Sequence, residues 1–346
     1  ELFRFRRSRD QPFRRLIRPP AGGAPLYDQV HVLAFNRPDY AERVLAALAA
    51  QLPRTPDGPS VHVWIDGFHG SRDQARGERD QRAAVAQLVA DHLPQARLHR
   101  QATNLGIARL FQRAERLSLR QGRAPYALFF EDDYVPGPDY LRALELLMHW
   151  GLEQPEVAIV TAHGIVAEHA SPLLGDLEEQ LPARPLFVHS LWAFAIKRSH
   201  LRERTAYLRD YLATMRGVRY RERNDDAICA FHASRGLPCI HGTSQDYAKH
   251  AALLLHGRLA VTVPYRLGHY IGRRGEHSTD AGFERLGYHR LHEQRFDPHL
   301  YRQALAVPLD APLLRWARLL ELLLIRSHQA EEQLAAAQAE LERLRG

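Results

Sequence analysis

Short apolar runs alternate with amphipathic segments along the middle of the chain. The apolar runs that predict strands lie at 30–35, 61–65, 97–100 and 126–130. The segments with helical spacing of apolar positions lie at 40–51, 73–93 and 106–121. Strands that alternate with helices are typical of a parallel, doubly wound sheet, so the pattern predicts an α/β fold.

The second half of the chain continues this alternation less regularly. Further predicted strands lie at 157–161, 187–196 and 259–263, and further predicted helices at 199–215, 224–235 and 243–256. Residues 264–300 form a loop-rich stretch that is dense in His, Arg and Gly. Together the two halves place the folded part of the chain at residues 29–300.

The first 28 residues form a basic arm, in which arginines alternate with phenylalanines before a run of Pro, Gly and Ala at 19–25. Such a segment suits nucleic acid, an anionic membrane surface, or packing on the next domain. No nucleic-acid motif accompanies it. We therefore favour a peripheral membrane contact through residues 1–18, or interdomain packing, and expect no nucleic-acid partner.

From Leu313 to the last residue, apolar positions recur at intervals of seven in two interlocking rows. This spacing is typical of the a and d positions of a coiled coil. We favour a coiled coil over residues 313–346 above a single amphipathic helix that packs on the domain. A coiled coil predicts a homo-oligomer.

Composition adds few limits to this picture. The 346 residues are 45% hydrophobic and 25% charged, with a net charge of +7, as in an ordinary globular protein. No apolar run reaches the roughly 18 residues that a membrane helix needs, and no signal peptide is visible. Cys229 and Cys239 give no disulfide framework and no zinc spacing, so we expect two small buried hydrophobic residues. The chain begins with Glu, and we expect an excised piece of a longer protein.

Three consecutive carboxylates, Glu131, Asp132 and Asp133, end the apolar run at 127–130. Carboxylates this close repel one another, and a divalent cation among them would cancel the repulsion. At the carboxyl end of a strand in an open α/β sheet, that cation would lie where ligands normally bind. A solvated acidic turn that caps the next helix is the alternative.

Several other motifs stand in a fixed order around this triplet. They are Asn36-Arg37 after the first strand, Asp66-Gly67 after the second, the Ser-Leu-Trp-Ala-Phe run at 190–194, Gln245-Asp246, Gly257-Arg258 and Gly272-Arg273-Arg274-Gly275. This order resembles nucleotide-sugar-dependent glycosyltransferases of the GT-A fold, and within them the N-acetylglucosaminyltransferase I type, over roughly residues 29–280. The resemblance implies a nucleotide-sugar-binding half at 29–140 and an acceptor half at 141–300. The chain departs from that pattern at Gln245, where the family has an acid, and in a longer segment at 197–243.

The resemblance also implies roles for the donor-site residues. Asp133 would bind Mn²⁺ or Mg²⁺ on the diphosphate of the donor, and His269 or His277 would complete the metal site. Asp66 would accept the uracil ring N–H and so indicates a UDP-sugar, although the same side chain could cap a helix. The remaining donor contacts would come from Arg37, Asn104, Arg109, Glu131, Asp132, Arg273 and Arg274.

An inverting transfer needs a base that removes the proton of the acceptor hydroxyl. We favour Asp246 because of its register with Gly257-Arg258. Asp225 and Asp226 are the alternatives, and helix capping explains them equally well. Substrate-assisted chemistry also stays open.

These features together predict a metal-dependent, inverting glycosyltransferase that moves a hexose or N-acetylhexosamine from a UDP-sugar to a glycan or lipid-linked acceptor. An Arg- and Ala-rich chain without signal or disulfides predicts a bacterial cytoplasmic enzyme of surface polysaccharide synthesis, peripheral at the inner membrane. A nucleotidyltransferase is a second interpretation, disfavoured because no Gly-rich phosphate loop follows the first strand. An inactive GT-A domain that serves as an oligomeric scaffold is the alternative outside the enzymes.

Overall fold

The computed structural model describes residues 25–314 except for 54, 56, 76, 165–183, 189, 238–242, 276–278, 286–287, 291–292 and 313. The predicted basic arm lies outside the described residues up to residue 24, and the predicted coiled coil lies outside them apart from Leu314. His277 and Cys239 also lie outside them. The arm and the coiled coil stay predictions.

The strands and helices follow one another along the chain much as the apolar pattern predicts. The strands are β1 (Tyr27–Ala34), β2 (Ser60–Ile65), β3 (Arg97–Arg100), β4 (Tyr126–Glu131), β5 (Tyr134–Pro136), β6 (Val157–Val160), β7 (Leu186–Phe187), β8 (Ala193–Lys197), β9 (Leu259–Thr262) and β10 (Gly268–Tyr270). The helices are α1 (Pro38–Ala49), α2 (Gly70–Ala75), α3 (Arg82–His92), α4 (Ile107–Gln121), α5 (Tyr140–Leu152), α6 (Arg198–Ala213), α7 (Asp225–Ser234), α8 (Gln245–Leu255), α9 (Asp280–Arg285) and α10 (Pro298–Ala306). Single 3₁₀ turns lie at Tyr220–Glu222 and Tyr288–Arg290.

Eight of these strands form one sheet in the order β3-β2-β1-β4-β8-β6-β9-β7. The first four are parallel, β8 runs antiparallel to both β4 and β6, and β9 is parallel to β6. The predicted α/β class, with a largely parallel central sheet flanked by helices, is confirmed. On one side of β1 the chain continues outward through β2 and β3, and on the other side it continues through β4. The strand order therefore reverses between β1 and β4. Ligands of open α/β sheets bind in the crevice at such a reversal.

Apolar side chains cover both faces of this sheet, and β4 shows how they are divided. Leu128 and Phe130 belong to the layer that includes α1, α3 and α5, whereas Ala127 and Phe129 belong to the layer that includes α4, α6 and α8. Because side chains alternate along a strand, Glu131 at the end of β4 faces the second layer.

Two predicted elements are wrong in their extent. The predicted helix at 73–93 is two helices, since Gly77 has a φ of 77° and the Asn36 side chain binds the backbone at Arg79 and Gln81. The predicted strand at 187–196 is β7 and β8, which pair with different neighbours. The antiparallel pair of β5 and β10 was not predicted at all.

Cys229 also departs from its prediction. It is half-buried and disulfide-bonded, whereas we expected a chain without disulfides. Disulfides persist mainly in oxidising compartments, so one of the grounds for a cytoplasmic location is lost. Among the described helices, none is both long enough and apolar enough to cross a membrane.

Candidate functional site

The crevice between β1 and β4 holds a guanidinium group and two carboxylates in direct contact. Arg37 follows β1, and Asp132 and Asp133 follow β4. The Arg37 Nη2 atom donates to Asp132 Oδ1 and lies 3.1 Å from Asp133 Oδ2. Its Nη1 atom donates to the backbone carbonyl of Arg274 at 2.8 Å. The sequence analysis assigned these three residues to one donor site, and the structure places their side chains in contact.

Both carboxylates of this group are buried, and one of their oxygens has no partner. Asp132 Oδ2 accepts the backbone N–H of Phe35 at 3.3 Å. Asp133 Oδ1 is buried without a hydrogen bond. Burial raises the pKa of Asp133, and the Arg37 charge works in the opposite direction. An unpaired buried carboxylate oxygen is costly, which makes Asp133 Oδ1 the atom best suited to hold a cation.

Glu131, the first residue of the triplet, lies in a different environment from the two aspartates. Its backbone N–H donates to the Trp192 carbonyl at 2.7 Å, and its buried Oε1 atom has no hydrogen-bond partner. Burial first, and then the charges of Asp246 and Asp133, raise the pKa of Glu131 well above its ordinary value. Glu131 therefore faces α8, where the charges of Asp246 and Lys249 act on it in opposite directions.

The predicted base, Asp246, lies in the first turn of α8, which Ser244 caps by accepting the N–H of Tyr247. Asp246 Oδ1 accepts a hydrogen bond from Gln245 Nε2 at 2.6 Å and lies 3.8 Å from Lys249 Nζ. The Asp246 side chain is 40% exposed, so an acceptor hydroxyl can reach it. Gln245, the departure from the family pattern, is thus the residue that orients the candidate base.

Lys249 is the site residue that the sequence analysis missed. Its side chain is 2% exposed, and its Nζ atom has no hydrogen-bond partner and lies 3.1 Å from the centre of the Phe111 ring. Burial lowers the pKa of Lys249 to about 8, against the opposing charges of Asp246 and Glu115. Its spacing of three from Asp246 on a predicted helix could have indicated it.

The alternative bases occupy a more ordinary position. Asp225 and Asp226 are exposed in the first turn of α7. The side chain of Asn224 caps that helix by accepting the N–H of Ala227 at 3.0 Å, and Arg223 lies 3.5 Å from Asp225. Negative charge at a helix start is favourable in itself, so this geometry is explained without catalysis.

Asp66, the predicted uracil-binding residue, already accepts three backbone N–H groups. Asp66 Oδ1 accepts from Gly67 and Leu105 at 2.8 Å each, and Oδ2 accepts from Gly106 at 2.9 Å. A Cβ atom at Gly67 would lie 2.0 Å from the Thr103 carbonyl carbon, so this turn requires glycine. Burial raises the pKa of Asp66, and these donors lower it. The carboxylate joins the end of β2 to the start of α4, and its base-binding role stays a prediction.

Asn104 and Arg109 make contacts of the same structural kind. Asn104 Nδ2 donates to the Gly67 carbonyl at 2.9 Å, and Arg109 Nη2 donates to the Met215 carbonyl at 2.5 Å. Asn104 thus holds the turn at 66–67 in place, and Arg109 holds the segment after α6. Their predicted contact with a donor substrate stays a prediction.

The segment from β10 to Gly275 covers the carboxylate group. Its Ile271 N–H donates to the Asp133 carbonyl at 2.8 Å, and the Arg274 N–H donates to Tyr40 Oη at 3.1 Å. The Arg274 guanidinium pairs with Asp39 at 2.5 Å, and that of Arg273 pairs with Glu284 at 2.5 Å. Both guanidinium groups are therefore paired with exposed carboxylates of the same chain.

A stack of aromatic rings fixes this segment to the sheet. The Trp192 and Tyr270 rings are stacked with centres 4.2 Å apart, and the Tyr288 ring meets both edge to face. Trp192 is buried, as expected of a core aromatic residue. Because Trp192 also accepts the Glu131 N–H, the same residue supports the triplet and its cover.

The donor set of the site fits a divalent cation that takes most of its ligands from a substrate. Within the described ranges, no three His, Cys, Asp or Glu side chains are grouped as a metal site. The Nε2 atom of His269 lies 2.9 Å from Arg43 Nη2, and burial and the Arg43 charge lower the pKa of His269. Mg²⁺-like ions need only one or two carboxylates when phosphates and waters supply the rest. Asp133 Oδ1 can supply such a carboxylate oxygen, and the Arg37 guanidinium is a group that can bind phosphate.

No protein-family model and no curated protein matches the chain. A comparison with solved structures found a mannosyltransferase from Pyrobaculum calidifontis in complex with GDP-Man and Mn²⁺, at 17% sequence identity and a TM-score of 0.39. The match covers 96% of this chain and 92% of that chain. A likeness at this identity and TM-score is too weak to support an argument about function, which must come from the site.

Proposed function

We propose that the protein is a metal-dependent glycosyltransferase that uses a nucleotide-sugar donor. The main observation behind this proposal is the meeting of Arg37, Asp132 and Asp133 at the point where the strand order reverses. Open α/β sheets bind nucleotides at this point. An arginine fork matches phosphate oxygens, and an unpaired carboxylate oxygen matches a divalent cation. Both groups of a metal–diphosphate complex thus have a candidate partner.

The residues around this point supply the other parts of an inverting single displacement. When bound, the metal would stabilise the negative charge of the departing nucleoside diphosphate as a Lewis acid. Asp246 would accept the proton of the acceptor hydroxyl, since it is part-exposed and held in orientation by Gln245. Glu131 would hold a donor hydroxyl through its Oε1 atom, which has no hydrogen-bond partner in the protein.

The finer parts of the proposal rest on the sequence. They are a UDP-sugar as donor, a hexosyl or N-acetylhexosaminyl group, a glycan or lipid-linked acceptor, an oligomer through residues 313–346 and a membrane contact through residues 1–18. A cytoplasmic location belongs with them, although the disulfide at Cys229 counts against it. Because Asp66 is already occupied by backbone donors, UDP and GDP both need to be tested.

Calorimetric titration of UDP and of GDP, with Mn²⁺ and with EDTA, tests the proposal. We expect one nucleotide to bind only with Mn²⁺, and we expect Asp133→Ala to abolish that binding because it removes the cation's carboxylate. Asp210→Ala is the matched control, since Asp210 pairs with Arg209 and Arg235 on the surface. If neither nucleotide binds under either condition, the proposal fails and the scaffold interpretation is favoured.

A further inference from the structure

Arg37 occupies the position that a metal would have to share. A single nitrogen, Nη2, contacts both Asp132 Oδ1 and Asp133 Oδ2. Two carboxylates and one guanidinium leave one negative charge in excess, and Asp133 Oδ1 is the oxygen left without a partner. Arg37 therefore partly neutralises the pair in the free protein, and its positive charge repels any second cation that approaches Asp133.

The Arg37 side chain is partly exposed and has few contacts besides the two carboxylates. It is 23% exposed, and apart from the carboxylates it is held by the Arg274 carbonyl and by the face of the Tyr40 ring, 4.9 Å from the guanidinium carbon. Asp132 keeps the Phe35 N–H when Arg37 moves, whereas Asp133 keeps only the short-range contact with its own backbone N–H among the described hydrogen bonds. When Arg37 leaves, Asp133 therefore loses more of its hydrogen bonding than Asp132 does.

We propose that Arg37 is a resident cation that keeps a divalent metal off Asp133 until a nucleoside diphosphate arrives and takes the guanidinium. This inference rests on the proposed function and adds the order of binding. The diphosphate offers Arg37 two oxygens in the geometry of its fork, and the carboxylate that Arg37 leaves becomes available to the metal. Because binding couplings are reciprocal, the metal must raise nucleotide affinity by the same factor.

The test is the affinity of the nucleotide-free protein for Mn²⁺, followed by electron paramagnetic resonance of the free ion. We expect Arg37→Met to raise this affinity by about tenfold, within the usual range of couplings between sites. Arg37→Lys keeps the charge but loses the fork, so it should raise the affinity less than Arg37→Met does. Arg235→Met is the matched control, because it removes one positive charge from an exposed pair with Asp210.

The outcomes separate the inference from the proposed function. If folded Arg37→Met and Arg37→Lys both bind Mn²⁺ no more tightly than the unchanged protein, the inference is overturned, and Mn²⁺ binding with UDP or GDP would leave the proposed function standing. If the unchanged protein binds no Mn²⁺ even with either nucleotide, both are overturned. A gain in Arg37→Met that Arg235→Met also shows would reflect net charge alone and would overturn the inference.

Discussion

Lys249 is a buried ammonium group in a chain that otherwise relies on arginine. Of the 47 basic Lys and Arg residues, only Lys197 and Lys249 are lysines. Lys249 Nζ has no hydrogen bond and lies 3.8 Å from Asp246, with Glu131 also close enough to act on its pKa. A buried charge without hydrogen bonds is costly, and such groups often mark functional sites. Its position indicates that its charge attracts and orients the Asp246 carboxylate.

Lys249→Met separates this role from a structural one. Methionine fills a similar volume without a buried charge, and the 40% exposed Asp246 stays hydrated, so we expect the melting temperature to stay equal or rise. We expect kcat with the donor found by titration to fall by at least about tenfold, because Asp246 would lose its stabilising charge, while KM for the donor stays near its original value. The control is Lys197→Met. Lys197 is half-buried and donates to the carbonyl of Gln154, 43 residues away in the sequence, rather than facing Asp246. Unchanged kcat in Lys249→Met would contradict this role.

At the scale of elements, Asp66 joins a strand to a helix. Its three accepted N–H groups belong to the turn after β2 and to the two residues before α4. These N–H groups lie before the first helical residue, so Asp66 fixes the loop that leads into α4 by satisfying buried backbone donors. This explains why the residue is buried even without a substrate.

Asp66→Asn tests whether that structural role is the main one. Asparagine keeps one acceptor oxygen, so we expect the free energy of unfolding to fall by about 1 to 2 kcal/mol, measured by urea denaturation. We expect UDP and GDP affinities to fall together or not at all. Loss of UDP binding alone, at unchanged stability, would instead establish Asp66 as the residue that binds the base. Asp57→Asn, at an exposed carboxylate with no hydrogen bond among the described residues, should change stability by less than about 0.5 kcal/mol.

The elements that were predictable are those whose geometry follows from local pattern. Arg37 and Asp133 could be placed together because each follows a strand, and the carboxyl ends of parallel neighbours share one edge of a sheet. Lys249 could not be placed near Glu131, since their proximity depends on how α8 packs in the folded protein, 118 residues away in the chain. The strands β5 and β10 are three residues each, too short to show a period of two.

At the scale of the whole molecule, two buried histidines and one half-buried histidine lie side by side on neighbouring strands. His31, His62 and His99 lie on β1, β2 and β3, with His31 and His62 stacked 5.1 Å apart and His62 Nδ1 3.0 Å from His99 Nε2. Trp64 Nε1 donates to His31 Nδ1 at 3.1 Å. Because Ser118 Oγ donates to Gln29, it accepts from His31 Nε2. His31 is therefore held as one neutral tautomer.

These histidines predict that the fold loses stability in mild acid. Burial lowers the pKa of His31 well below 6.5 and that of His62 to about 4. Below about pH 6.5 these histidines bind protons in the unfolded chain but not in the folded protein. Above that pH they are neutral in both states, so they do not lower the free energy of unfolding there. This free energy should decrease as the pH falls toward 4, by up to about 1.4 kcal/mol per pH unit for each such histidine.

His62→Phe isolates one part of this effect, because phenylalanine keeps a ring between His31 and His99 but cannot bind a proton. Urea denaturation of both proteins from pH 7 to pH 4.5 should show a shallower loss of stability in the variant. Carboxylates with raised pKa values, such as Glu131 and Asp133, act in the opposite direction, but they are the same in both proteins and cancel in the difference. His299→Gln, at an exposed position in α10, should leave the slope unchanged. Equal slopes in His62→Phe and the unchanged protein would mean that His62 does not drive acid unfolding.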